Sequence, residues 1–288
     1  MENIDDIPLV ISYETDLSNN NAQIFRKTLE KHNWDFRFIG GETKWIGVKD
    51  KIIGYYNFLQ TIPKNKIVIL SDSRDVFCLR DSALFVEQIK NIVDKQIIIS
   101  AECYLLGHMN WNDAEILNAK SNYPNFFFQG IPINKYWEHY NKLDDLPSRK
   151  YVNSGLIVGK VINLTNAFKW IIDNNYTDDQ LGFANYTNNY SELVYLDYEA
   201  NILHTSTGFV NGCFYDYNIQ SKDVVTFTEL FGLSSYFLHI PGINNSKGQK
   251  KIYDVVTRIL IDNIIDKDMF SIYGIKYKSV NQEIVIKK

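Results

Sequence analysis

The chain has 288 residues, 45% of them hydrophobic and 14% aromatic, and a formal net charge of −4 at pH 7. That is enough material for a sizeable core, as one large α/β domain or two small ones, and it leaves no basic footprint for nucleic acid. Cys78, Cys103 and Cys213 are odd in number and lack CxxC or Cys/His spacing, so they support neither a disulfide framework nor a structural zinc site, and free thiols are expected.

The first ten residues, MENIDDIPLV, contain neither a basic leader nor a long apolar core, and no run approaches about 18 apolar residues. The expectation is a cytoplasmic chain without membrane contact. Residues 8–13 (PLVISY) read as a first strand, residues 17–32 as a helix carrying Ile24, Phe25 and Leu29 on one face, and residues 35–39 (DFRFI) as a second strand before Gly40 and Gly41. A loop with Trp45 then leads into a helix over residues 52–59, with Lys49 and Lys51 at its entrance.

Residues 66–76 read KIVILSDSRDV. The unbroken run Ile67 to Leu70 predicts a strand covered on both faces, as in a parallel sheet flanked by helices. Ligands in such sheets sit beyond the carboxyl ends of the strands, where Asp72 and Asp75 fall. Two carboxylates three positions apart can converge on one hard divalent cation; the same residues also suit a plain Asp/Ser turn.

An amphipathic helix is expected over residues 83–93 and a strand over 96–100 that ends in Ala101 and Glu102. Glu102 is placed to meet a hydroxyl, orient a lysine or cap. Residues 104–132 are aromatic and poorly periodic, an excursion that includes Trp111. In YVNSGLIVG, residues 151–159, an apolar frame is interrupted by Asn153, Ser154 and Gly155. Such a break permits either close approach of a ligand to the backbone or a β-bulge. After a helix over residues 164–173 come Asp178, Asp179 and Gln180. A helix N-terminus accounts for one aspartate there, less readily for two followed by an amide. Residues 193–197 and 235–240 read as strands, the second placing His239 at its end ahead of Pro241, Gly242, Asn244 and Lys247. A helical stripe over 252–264 and a hairpin over 272–286 close the chain.

The SDSRDV stretch resembles the metal-binding aspartate motif of the glycosyltransferase domain found in the procollagen lysyl hydroxylase and collagen glucosyltransferase family. ISAE at 99–102, YVNSGLIVG at 151–159, DDQ at 178–180 and HIPG at 239–242 follow in that family's order. The resemblance covers most of residues 9–248, a single GT-A domain, and leaves 249–288 as a C-terminal helix and hairpin extension that either packs on the same domain or forms a homodimer contact. It implies a Rossmann-like α/β fold of GT-A type, a mixed and mainly parallel sheet flanked by helices. It further implies Mn²⁺, or another divalent cation, on Asp72, Asp75 and His239. Ser12, Tyr13, Trp45 and Ser73 would lie near the nucleotide, and Lys51, Gly242 and Lys247 near its diphosphate. Asn153, Ser154, Asp178 and Asp179 would hold the sugar or acceptor, one of the two aspartates serving as general base if the reaction inverts configuration.

The implied activity is transfer of a sugar from a UDP-sugar, with UDP-glucose first, then UDP-galactose or UDP-N-acetylglucosamine, to a hydroxyl such as hydroxylysine of a collagen-like chain. Three departures stand out. The family's glycine-rich run before the lysine is reduced to Gly47, Arg74 stands where the family has an aromatic residue, and Ile240 and Pro241 loosen the segment after the histidine. These leave room for a catalytically silent sugar- or nucleotide-binding module on the same scaffold. A haloacid-dehalogenase-like phosphatase fits less well, because its second acid would fall where Arg74 stands.

Overall fold

A computed structural model of the chain describes residues 7–41, 43–102, 127–128, 131–132, 151–205, 209–210, 213–216, 219–221, 224–226, 235–242, 253–254, 257 and 283–285. Its centre is a six-stranded sheet. The main elements are β1 (Leu9–Tyr13), α1 (Asn20–Lys31), β2 (Asp35–Ile39), α2 (Val48–Leu59), β3 (Ile67–Ser71), β4 (Val76–Cys78), α3 (Phe85–Val93) and β5 (Ile97–Glu102). After them come β6 (Tyr151–Lys160), α4 (Val161–Asp173), α5 (Asp179–Asn189), β7 (Val194–Asp197), β8 (Leu203–Thr205) and β9 (Phe237–His239).

The central sheet runs β2-β1-β3-β6-β5-β7. All of its strands are parallel except β6, which lies antiparallel between β3 and β5. The fold is therefore mixed α/β with a mainly parallel sheet. The alternation of side chains along each strand sends Val68 and Leu70 into one apolar layer with Ile52, Tyr55, Leu164, Phe168 and Phe183, and Ile69 into the other with Phe25, Leu29, Phe85 and Ile89. Both layers are covered by helices, which is why the 67–70 run carries no polar alternation.

Two departures from a regular sheet shape its carboxyl edge. After Ser71 the chain turns and re-enters as β4 in a second, three-stranded sheet ordered β8-β9-β4, where His239 pairs opposite Val76. On the other side, the β5/β6 ladder shifts register between Ile99 and Ser100, so that Ser100 faces Asn153 while Ile99 faces Ile157. Of the two alternatives the break at residues 153–155 allowed, a bulge in the ladder is present. Asn19 caps α1 by accepting from the Asn21 and Ala22 N–H groups, and Asp178 caps α5 through the Leu181 N–H.

Tyr253 is buried against Phe77 at a ring separation of 4.9 Å, so the start of the C-terminal segment packs on the second sheet. Residues Glu283–Val285 pair antiparallel with Val224–Thr226; the rest of the expected 272–286 hairpin, like Trp111 and Lys247, falls outside the described residues. Among the described residues, no helix is long and apolar enough to cross a membrane.

Phe85 holds α3 to the second sheet, with no exposed surface and rings of Trp34 and Tyr236 at 5.1 and 4.9 Å. Phe85→Ala is expected to cost about 3–5 kcal/mol of unfolding free energy, measured by urea denaturation; a loss below about 1 kcal/mol would contradict this account of the core.

Candidate functional site

Three strand ends meet at the carboxyl edge of the central sheet. Asp72, immediately after β3, donates its N–H to the Gly155 carbonyl at 2.9 Å, and the Ile240 N–H donates to the Asp75 carbonyl at 2.8 Å. These backbone bonds fix the acid turn between β6 and β9. His239 Nε2 consequently lies 3.4 Å from Asp75 Oδ1 and 3.7 Å from Asp72 Oδ2. One ligand atom from each of the three residues falls within 4.8 Å of the others.

The imidazole is locked from behind. Asn153 Oδ1 accepts the Gly155 N–H at 2.9 Å and lies 2.9 Å from His239 Nδ1. The backbone N–H identifies that end of the amide as oxygen, so Nδ1 must carry the proton it donates, and Nε2 is left facing the acids. Nε2 is buried and has no hydrogen-bond partner among the described residues. Burial opposes charge on this ring, but Asp75, Asp72 and Glu102 outweigh it and raise its pKa. The site therefore favours positive charge at Nε2, and Asp72, Asp75 and His239 could hold a divalent cation there; mixed imidazole and carboxylate donors suit Mn²⁺ or a similar transition ion. Gly155 makes this packing possible, because a Cβ there would overlap the His239 ring. What approaches the backbone at the break in β6 is this ring.

Lys51 and the 178–180 segment form the second tier. Lys51 is buried on the first turn of α2, its Nζ 2.5 Å from Asp72 Oδ1 and 2.7 Å from Asp179 Oδ2. Burial disfavours its charge, yet Asp179 and Asp72 hold its pKa well above the usual lysine range. Asp72 thus presents one oxygen to Lys51 and the other toward His239. The two neighbouring aspartates separate in role: Asp178 is the α5 cap, whereas Asp179 is buried and tied to Lys51. Gln180 Nε2 donates to Glu102 Oε1 at 2.6 Å. Glu102 is fully buried, its Oε2 without a hydrogen-bond partner among the described residues, and burial pushes its pKa up to about 7 against the opposing pull of Asn153, His239 and Gln180.

Beside the acid turn opens a cavity of about 370 Å³ lined by Tyr13, Glu14, Thr15, Trp45, Lys51 and the four residues Asp72, Ser73, Arg74 and Asp75. Tyr13 and Trp45 form an aromatic wall with ring centroids 6.1 Å apart. The Tyr13 ring lies so close to Gly40 and Gly54 that a Cβ at either would crowd it. Ser12 is not part of this wall: it is buried, and its hydroxyl donates to the Ser71 carbonyl at 2.7 Å, fastening β1 to β3. Glu14 takes that place, buried and paired with Arg74 and Ser73. Ser154 is buried on β6 beside Asn153, and Gly242 follows His239 in a left-handed turn at φ 79°.

Glu102 and Gln180, singled out from sequence in the ISAE and DDQ stretches, are thus paired with each other. Glu14, at the end of the first strand beside Ser12 and Tyr13, lines the cavity with Tyr13.

No protein-family model matches the sequence, and no curated protein does. Among solved structures, the chain is similar to a glycosyltransferase involved in the glycosylation of the major capsid of PBCV-1, at 9% identity over 85% of this chain and 99% of that one, with a TM-score of 0.44. It is also similar to mouse xyloside xylosyltransferase 1 in its apo form, at 11% identity over 81% of this chain and 97% of that one, with a TM-score of 0.40.

Two predictions follow from the geometry. Gly155→Ala should displace the imidazole and weaken Mn²⁺ binding roughly 10- to 100-fold by titration calorimetry; unchanged affinity in the folded variant would show that His239 is no ligand. Glu102 retains in the folded state a proton that the unfolded chain releases near pH 4.5. The stability linked to it is present below that pH and declines up to about pH 7, by roughly 3 kcal/mol. In EDTA, Glu102→Gln should therefore gain about that much more over the wild type at pH 8 than at pH 4, and a pH-independent difference would refute the shift.

Proposed function

We propose that the chain is a metal-dependent glycosyltransferase of GT-A type that uses a nucleotide-sugar donor. The observation that carries this reading is the convergence of Asp72, Asp75 and an otherwise unpartnered His239 Nε2 beside a cavity walled by Tyr13 and Trp45. Hard carboxylate oxygens and an aromatic wall in one cleft, with an oriented imidazole behind the acids, suit a cation, a diphosphate and a base, each a part of such a donor. The preference for a UDP-sugar, with UDP-glucose first and UDP-galactose or UDP-N-acetylglucosamine behind it, rests on the order of the sequence motifs. The same holds for a hydroxyl acceptor such as hydroxylysine of a collagen-like chain.

Asp72, Asp75 and His239 would hold a divalent cation, which would supply Lewis-acid stabilisation to a diphosphate leaving group. The chain's own residues prepare for it. Asn153 fixes the His239 tautomer and ring orientation. Lys51 neutralises Asp72 on its far oxygen and thereby orients the near one. Because the same ammonium holds Asp179, the acid at the start of α5 is placed relative to the cation site through a single side chain. The ion pair with Lys51 favours Asp179 over Asp178, which caps α5, as the acid that would meet the sugar or the attacking hydroxyl.

The test is UDP release from UDP-glucose, UDP-galactose and UDP-N-acetylglucosamine with a hydroxylysine peptide and Mn²⁺. Turnover is expected with at least one donor, falling about 100-fold or more in Asp72→Ala and Asp75→Ala and in EDTA. Turnover undiminished by excess EDTA would overturn the metal assignment. Mn²⁺-dependent donor binding without UDP release from any donor would leave a binding module.

A further inference from the structure

Arg74 occupies the middle of the acid turn, and Glu14 holds it in one pose. The Glu14 carboxylate is 2% exposed, and each of its oxygens accepts twice. Oε1 accepts from the Asp16 N–H at 2.8 Å and Arg74 Nη2 at 2.6 Å; Oε2 accepts from the Ser73 hydroxyl at 2.6 Å and Arg74 Nε at 2.9 Å. A carboxylate has about four acceptor sites, so Glu14 retains none for a ligand. Arg74 engages only one edge of its fork: Nη1 has no partner among the described residues, and the side chain is 41% exposed and lines the cavity together with Tyr13 and Trp45. The cavity thus pairs an aromatic wall with a fixed, donor-only group whose own acceptor is saturated.

That combination discriminates between nucleobases. Where uracil and guanine carry an exocyclic carbonyl acceptor, cytosine and adenine carry an amino donor. The free N–H groups of Arg74 can satisfy a carbonyl, whereas an amino group facing them meets donors alone and loses its hydrogen bond to water. Resting on the nucleotide-sugar reading above, we propose that Arg74, positioned by Glu14, reads the base of the donor and selects a keto base, uracil or guanine, over an amino base. An aromatic residue at this position would stack on any base; the arginine converts the position into a reader of base identity.

The experiment measures binding of UDP, GDP, CDP and ADP to the full chain in Mn²⁺, and again in Arg74→Ala and Arg74→Lys. Wild type should bind UDP and GDP at least about tenfold more tightly than CDP and ADP. Both variants should lose that margin through weaker UDP and GDP binding alone, Arg74→Lys keeping a charge on Glu14 should Arg74→Ala fail to fold. Equal affinity of the wild type for all four overturns the inference while Mn²⁺-dependent binding leaves the donor reading standing. An equal loss on all four in Arg74→Lys and Arg74→Ala also overturns it, because Arg74 would then be a phosphate contact. Absence of Mn²⁺-dependent binding for any of the four removes the donor reading and this inference together.

Discussion

The side of the imidazole of His239 packed against Gly155 is the contact on which the rest of the site depends. For the ring to lie there, β6 must carry a residue without a Cβ, the β5/β6 ladder must shift register so that Asn153 faces the ring, and β9 must pair with β4 so that His239 ends beside the acid turn. None of these features is explained by the core alone. The apolar layers on either side would be served as well by a regular ladder, in which Asn153 would point elsewhere. A bulge that leaves a buried amide oxygen accepting from both a backbone N–H and a histidine spends local regularity on a fixed tautomer.

Charge determines what that geometry is for. Asp72, Asp75, Asp179 and Glu102 crowd one edge of the sheet, with Lys51 as the buried cation among them. Carboxylate oxygens within 4.8 Å of one another repel by about 3 kcal/mol even at an effective dielectric near 20. Lys51 relieves Asp72 on one side only. Asp75 and the second oxygen of Asp72 face a histidine whose pKa their charge raises. The local field therefore calls for further positive charge between three groups already aimed at one point, and a divalent ion answers both the field and the geometry.

Much of the fold was legible because burial leaves a period in the sequence. The 67–70 run, the helical face of Ile24, Phe25 and Leu29, and the stripe on α3 mark elements that lie within a few residues of where the pattern put them. Strand direction left no such mark: β6 is buried on both faces, so its apolar frame reads the same whether it runs parallel or antiparallel. Asp72, Asp75 and His239 were identifiable because motif order tied them together. Lys51 was harder to read, since a lysine in the first turn of a helix ordinarily faces water, and only the tertiary approach of Asp72 and Asp179 buries it. Gly155 gave a signal of close approach without naming the partner, and the partner is a side chain 84 positions on, supplied by the second sheet.

Arg74 shows how one departure from a motif changes the physics around it. An arginine on the acid turn, beside Asp75 and lining the cavity, adds positive charge that would repel a cation there unless that charge is already engaged. Glu14 engages it: burial works against the Glu14 charge, but Arg74, Ser73 and the Asp16 N–H together hold its pKa below the usual range, so the pair is a neutral unit toward the rest of the cavity. An arginine is accommodated on this turn because an acid lies buried one residue beyond β1. The guanidinium keeps its directional donors while its net charge is cancelled behind it. That is the condition under which a hydrogen-bonding group can face a ligand without competing with a metal for the same anion.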